Sequence, residues 1–142
     1  MGAHLPDAKS LVNKPTFPPG QQGSLLCKFL TQDVWDELKN AEDSAGFSFK
    51  EAIFSGCKNP DSGIGVYAGS HDSYSTFKSL LHPIIYDYHK FAPSSKHTSN
   101  MLVEDLVAPP FSPEDAAMIK STRIRVARNL ASFPLGPGIS RQ

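Results

Sequence analysis

SFKEAIFSGCKNPDSGIGVYA, residues 48–68, joins the two patterns from which the rest of the chain can be read. Its first half is helical. Ser48 and Glu51 stand three apart as a capping box: the serine takes an amide of the first turn and the glutamate reaches back to the serine's own amide. The helix they open is expected to run to about Gly56 and to bury Phe49, Ala52, Ile53 and Phe54. The second half, Asn59–Ala68, abandons that period. Gly63 and Gly65 at alternate positions let a backbone approach a ligand without side-chain interference. Exposed amides there could take a carboxylate, and Tyr67 adds a hydroxyl within reach of the same ligand. The same residues also suit an ordinary helix-to-helix loop punctuated by Gly and Pro.

Upstream, Ser24–Leu30 is a short apolar stretch of helical character. Thr31 caps a helix expected over Gln32–Asn40, with Val34, Trp35 and Leu38 on its buried face. Downstream, a helical run starts at Ser70 or Asp72, and Tyr74, Phe77, Leu81, Ile84/Ile85 and Tyr88 repeat at three and four as one buried stripe. Pro83 removes an amide donor inside that run, which predicts a kink or a break into two helices near His82. From Lys90 to Phe111 the periodicity is lost. Ser112-Pro113-Glu114-Asp115 has the cap and N1 proline of a new helical turn. Gly136-Pro137-Gly138 marks where regular structure stops being readable. The organisation expected is an extended arm over 1–23, a helical domain over 24–90, a linker over 91–115, and the start of a second domain over 116–142.

Charge divides the chain in the same place. Residues 1–115 carry 9 Lys and 14 acids, a balance of −5, whereas residues 116–142 carry 5 Lys plus Arg and no acid, a balance of +5. All four arginines lie in the last 20 residues, three of them in Ser121-Thr122-Arg123-Ile124-Arg125-Val126-Ala127-Arg128. In a strand, Ile119, Ser121, Arg123 and Arg125 would share one face, and Thr122, Ile124, Val126 and Arg128 the other. Two guanidinium forks beside a hydroxyl suit phosphate oxygens, because Arg donates paired charge-assisted hydrogen bonds in a fixed plane. A solvated strand face whose arginines pair with carboxylates fits the spacing equally well. A nucleic-acid stripe fits less well, since little aromatic interleaving accompanies the basic residues and the rest of the chain is acidic.

A chain of 142 residues with 39% hydrophobic content, nine Phe, four Tyr and one Trp suffices for one domain, or for a small domain and part of another. Cys27 and Cys57 have neither metal-ligand spacing nor a disulfide framework, so no metal site is expected. A reducing, cytoplasmic compartment fits, with both thiols packed as small apolar groups. No apolar run approaches the ~20 residues of a membrane helix, and no secretory signal is recognisable at the start.

In this order, the loop and the arginine run resemble the phosphagen kinase (ATP:guanidino phosphotransferase) family. Ser24-Leu25-Leu26-Cys27-Lys28-Phe29-Leu30-Thr31 with Trp35-Asp36-Glu37-Leu38 is similar to the family's first helices, and Phe77 to His89 to its later signature helix. The resemblance covers roughly Ser24 to Ser140. NPDSGIGVYA is its most specific part and is similar to the short guanidino-specificity loop of arginine kinases; creatine kinases have a longer loop.

The resemblance implies a mainly α fold: a small orthogonal helical bundle, then a linker and the first β-strand of a truncated α/β catalytic domain. It implies that Ser62, Gly63, Ile64 and Gly65 supply backbone amides to the carboxylate and amino end of the substrate, with Val66 continuing the loop and Tyr67 giving its hydroxyl. Ser121, Arg123 and Arg125 would hold ATP phosphates, with Thr122 and Ile124 locking the strand into a sheet and Arg128 in a structural role. The implied reaction moves the γ-phosphoryl of MgATP reversibly onto a guanidinium nitrogen, for which positioning and charge stabilisation are the main requirements. L-arginine is the substrate expected, with ATP/ADP and Mg2+; lombricine and taurocyamine remain alternatives. The family's guanidinium-orienting carboxylates, reactive cysteine and further phosphate-binding arginines lie beyond Gln142, and neither Cys27 nor Cys57 matches that cysteine. The expectation is therefore that this chain alone binds nucleotide weakly and does not catalyse. It would need a complementing catalytic domain, or else serve as a non-catalytic helical interaction module. Neither nucleic acid nor membrane is expected as a partner.

Overall fold

The computed structural model describes residues 8–17, 19–20, 23–59, 61–108 and 110–139; the first seven residues of the arm, Pro60 of the loop, and Ser140, Arg141 and Gln142 lie outside them. Short helices make up most of the regular structure, four of them capped by a hydroxyl. α1 (Leu25–Phe29) starts at Ser24, whose Oγ accepts the amide of Cys27 at 3.0 Å. α2 (Gln32–Leu38) starts at Thr31, whose Oγ1 accepts the amide of Val34 at 3.2 Å, and ends two residues before the expected Asn40. α3 (Phe49–Lys58) opens on the capping box, with Ser48 Oγ accepting from the Glu51 amide at 3.3 Å and Glu51 Oε2 accepting from the Ser48 amide at 2.9 Å. α4 (Ser73–Thr76) and α5 (Lys78–His89) follow the loop, and α6 (Pro113–Met118) begins at Ser112 with proline at its first position. Each cap stabilises by about 1 kcal/mol, too little to hold helices of five to ten residues in water. Burial supplies the remainder.

That burial is a single cluster of Leu26, Leu30, Trp35, Leu38, Phe47, Phe49, Ala52, Ile53, Val66, Phe77, Leu80, Leu81 and Ile84. Phe49 sits at its aromatic centre, 6.3 Å from the Trp35 ring and 5.6 Å edge-on from Phe77, so α2, α3 and the α4–α5 junction meet on one side chain. The described part of the arm is not simply extended. Ala8–Ser10 form a 3-10 turn with Ala8 buried, and Leu11 and Phe17 pack against the cluster. No helix among the described residues is long and apolar enough to cross a membrane.

Four expectations change. The buried stripe consists of Phe77, Leu80, Leu81 and Ile84, while Tyr74 and Tyr88 are exposed. The helical break falls at Phe77 rather than near His82: Phe77 adopts φ −100°, ψ 28°, and α5 runs unbroken through Pro83. An interior proline costs about 3 kcal/mol, but α5 buries Leu80, Leu81 and Ile84, each giving roughly 1.5–3 kcal/mol, so packing wins. The strand expected over residues 119–128 is absent. This stretch has no regular structure and no pairing partner, and the one β-bridge among the described residues joins Glu42 to Ser48. A strand needs a neighbour for its amides, and Ile124 and Val126 find none to cover them. Order also persists past Pro134, where Gly136–Gly138 form a 3-10 turn and the Leu135 amide donates to the Gly69 carbonyl at 2.9 Å.

The chain divides into two compact units, residues 1–93 with 129–142, and residues 94–128. The first contains α1–α5 and the cluster. The second contains α6 and the arginine run, and buries no apolar side chain among its described residues.

Because Phe77 is fully buried and meets Phe49, Phe77→Ala is expected to lower unfolding free energy by about 3–5 kcal/mol, measured by urea titration of the far-UV signal; a loss below about 1 kcal/mol would contradict the packing described.

Candidate functional site

The loop after α3 is built from backbone hydrogen bonds. Asn59 ends the helix with its amide and its side-chain Nδ2 both donating to the Ser55 carbonyl, at 2.9 and 2.8 Å. The Ser62 amide closes the following turn on the Asn59 carbonyl at 2.9 Å. The chain then runs along the start of α1, where the Gly63 carbonyl accepts the Leu25 amide at 3.0 Å and the Ile64 carbonyl accepts the Leu26 amide at 2.9 Å. With Ser24 taking Cys27, the first three amides of α1 are satisfied, so this helix end holds the loop instead of offering itself to a ligand.

The direction of the loop's own amides follows. A trans peptide is planar, with N–H and C=O pointing opposite ways. The Gly63 carbonyl shares a peptide with the Ile64 amide, and the Ile64 carbonyl with the Gly65 amide. Both carbonyls face α1, so both amides face away from it. Neither these two nor the Gly63 amide has an acceptor among the described residues. Gly65 turns the chain at φ +82°, a left-handed conformation that favours glycine. Val66 is buried in the cluster, and the Tyr67 amide donates to the Ala52 carbonyl at 2.9 Å, leaving the Tyr67 side chain exposed.

These residues border a solvent-open pocket of about 740 Å³, lined by Ser62, Gly63, Ile64, Val66 and Tyr67 of the loop, Leu25 of α1, and Asp87 and Tyr88 of α5. Gly65 is buried behind it. Asp87 accepts from Lys28 Nζ at 2.7 Å and from Lys90 Nζ at 3.1 Å; the Lys28 hydrogen bond, then that of Lys90, hold its carboxyl below the usual range. Leu25, Asp87 and Tyr88 were not singled out from the sequence as site residues. Tyr88 was given to the buried stripe, and nothing local in the chain announces that a lysine of α1 meets an aspartate 59 residues on.

The loop's exit is set by a buried carboxylate. Asp43 Oδ1 accepts the amides of Ala45 and Phe47 at 3.0 and 2.9 Å, and Oδ2 the hydroxyls of Ser70 and Ser73 at 2.6 and 2.5 Å. Ser73 Oγ in turn accepts the amides of Gly69 and Ser70 at 3.1 and 3.0 Å. Burial pushes the Asp43 carboxyl up, but the hydrogen bonds from Ser70, Ser73, Phe47 and Ala45 together outweigh it and leave the pKa lowered. Cys57, beside Gly56 on α3, is half-buried and free, and burial pushes its thiol up to about 11, which keeps it neutral and unreactive near pH 7.

Ser121, Thr122, Arg123, Ile124 and Arg125 lie in the second unit, all exposed. Arg123 and Arg125 have no ion pair among the described residues, so the reading in which they meet carboxylates finds no support there. Arg128 Nη1 donates to the neighbouring Ala127 carbonyl at 2.7 Å. No group of three or more His, Cys, Asp or Glu among the described residues is placed to hold a metal ion.

Comparison with known proteins gives this arrangement relatives. Residues 20–86, which contain α1–α4, the loop and most of α5, match the family model of the ATP:guanido phosphotransferase N-terminal domain. An arginine kinase of Anthopleura japonica is 44% identical over 119 residues, which cover 83% of this chain and 16% of that protein. A probable arginine kinase of Caenorhabditis elegans is 42% identical over 120 residues, 82% of this chain and 30% of that one. Among solved structures, a lombricine kinase matches with a TM-score of 0.61 at 27% identity, covering 75% of this chain and 29% of its own. The chain thus spans under a third of each of these three proteins.

The Asp43 pKa is lower folded than unfolded, so the network stabilises fully above the ordinary carboxylate range and is lost as pH falls through the lowered value. Asp43→Asn is expected to cost roughly 2–3 kcal/mol at pH 7 and to flatten the loss of stability expected below about pH 4. Urea titrations from pH 3 to 7 check this; parallel pH profiles for variant and wild type would refute it.

Proposed function

We propose that the chain is the N-terminal part of an arginine kinase-type phosphagen kinase, with the pocket beside the specificity loop receiving the amino-acid end of L-arginine. The observation that carries this reading is that the Gly63, Ile64 and Gly65 amides have no acceptor among the described residues, while the Gly63 and Ile64 carbonyls are already used by α1. These amides would accept the substrate carboxylate, with the Ser62 and Tyr67 hydroxyls adding further contacts and Val66 anchoring the loop in the core. The arginine kinase relatives favour arginine, while lombricine and taurocyamine share an amino or guanidino end that the same loop could meet. In this reading residues 24–90 are the substrate-side helical domain, 91–115 a linker, and 116–142 the opening of the catalytic domain, in a cytoplasmic enzyme.

In the transfer, the terminal phosphoryl leaves ADP and bonds to a guanidinium nitrogen, which gives up a proton. ATP is the second substrate and Mg2+ enters with it, neutralising its charge. Arg123 and Arg125, without an ion pair among the described residues, would bind phosphate oxygens with Ser121 beside them, and Thr122 and Ile124 would fix that segment to the rest of its domain. The loop holds the acceptor still and excludes water, which is where such a reaction gains most of its rate. The groups that touch the guanidinium itself would come from the complementing catalytic domain.

The test is ATP-dependent phosphorylation of L-arginine by this chain alone and mixed with a separately made catalytic domain. Turnover is expected only in the mixture, falling about tenfold or more with Tyr67→Phe or Arg123→Ala, as one lost charge-assisted hydrogen bond of about 1.5–3 kcal/mol implies. No turnover in either arm, with the chain folded, would overturn the reading and favour an interaction module.

A further inference from the structure

Inside α3, Gly56 is a residue that helix propensity argues against, since alanine is more favourable at an interior position. It is buried. A Cβ on Gly56 would lie 2.0 Å from the Gly65 carbonyl oxygen and 2.6 Å from the Gly65 Cα. A Cβ on Gly65 would in turn lie 3.0 Å from the Leu26 Cβ of α1 and 3.4 Å from the Gly56 Cα. The Gly65 backbone therefore lies directly against α3 at Gly56, with no room for a side chain at either glycine. We propose that Gly56 is a positioning residue for substrate: its missing side chain sets the depth of the loop and, through Gly65, the placement of the Ile64 and Gly65 amides. This rests on the reading of the loop as the arginine site.

The consequence is quantitative. To bring a methyl at position 56 into ordinary contact with the Gly65 carbonyl, the two must separate by more than about 1 Å. The Leu25 and Leu26 amides hold the carbonyls just before it, which limits retreat of the loop. The loop then yields by turning those peptides, which redirects the Ile64 and Gly65 amides. A misplacement of that size is enough to cost about a hundredfold where geometry governs a site.

The experiment uses the full chain labelled with 15N and titrated with L-arginine. In the wild type, arginine is expected to shift the Ile64 and Gly65 amide resonances. In Gly56→Ala, the same two resonances should already be displaced without ligand, and the dissociation constant should rise at least tenfold. Ser48→Ala, which weakens the same helix at its other end, should lower the melting temperature yet leave both the shifts and the affinity as in the wild type. Wild-type shifts with unchanged affinity in Gly56→Ala would overturn the positioning role and leave the substrate reading standing. No arginine response in the wild type would overturn both. Should Gly56→Ala not fold, backbone order parameters of the free wild type decide: Ile64 and Gly65 as rigid as α3, near 0.85, support the socket, and values below about 0.6 refute it.

Discussion

Two hydrogen bonds, from the amides of Leu25 and Leu26 to the carbonyls of Gly63 and Ile64, are the constraint on which the rest of the site depends. They use helix donors that would otherwise need water or a ligand. They also use loop acceptors, and by the planarity of the peptide they aim the next two amides the other way. A glycine-rich loop left to itself would sample many conformations. Here one element's terminus chooses among them, and α1 is fixed in turn by Leu26 and Leu30 in the core and by the Lys28–Asp87 pair to α5.

The surroundings serve the same end. Phe49 joins α2, α3 and Phe77 into one aromatic cluster, which places α3 and hence the start of the loop. Asp43 with Ser70 and Ser73 places the end of it, and the Gly69 carbonyl receives the Leu135 amide. Between these anchors, Val66 reaches into the core while Ile64 and Tyr67 remain exposed. The outcome is a loop with a buried underside and a free upper edge. Arg123 and Arg125 of the second unit have no ion pair among the described residues.

Local rules were legible where the structure depends on local chemistry. Ser48 with Glu51, Thr31 with Val34, and Ser112 with Pro113 marked helix starts correctly, because capping is a contact between residues three apart. The loop stood out through Gly63 and Gly65, and five of its six expected site residues line the pocket. What failed needed tertiary knowledge. Pro83 should break a helix by its own chemistry, and only the burial of Leu80, Leu81 and Ile84 shows why it does not. The row from Ser121 to Arg125 has strand periodicity but no partner strand among the described residues. Asp87 and the Asp43 network were invisible because their partners lie 59 and about 30 residues away. Gly56 looked like a helix end, and its close approach to Gly65 is a fact of packing alone.

The most direct test of the central claim is residue-resolved hydrogen exchange across the loop and α1 in the free chain. Leu25 and Leu26 amides bonded to the loop should exchange slowly, and the exposed Gly63 and Ile64 amides, which have no acceptor among the described residues, should exchange quickly. Protected loop amides beside unprotected Leu25 and Leu26 would mean that the loop faces the other way, and the account of the site would be wrong.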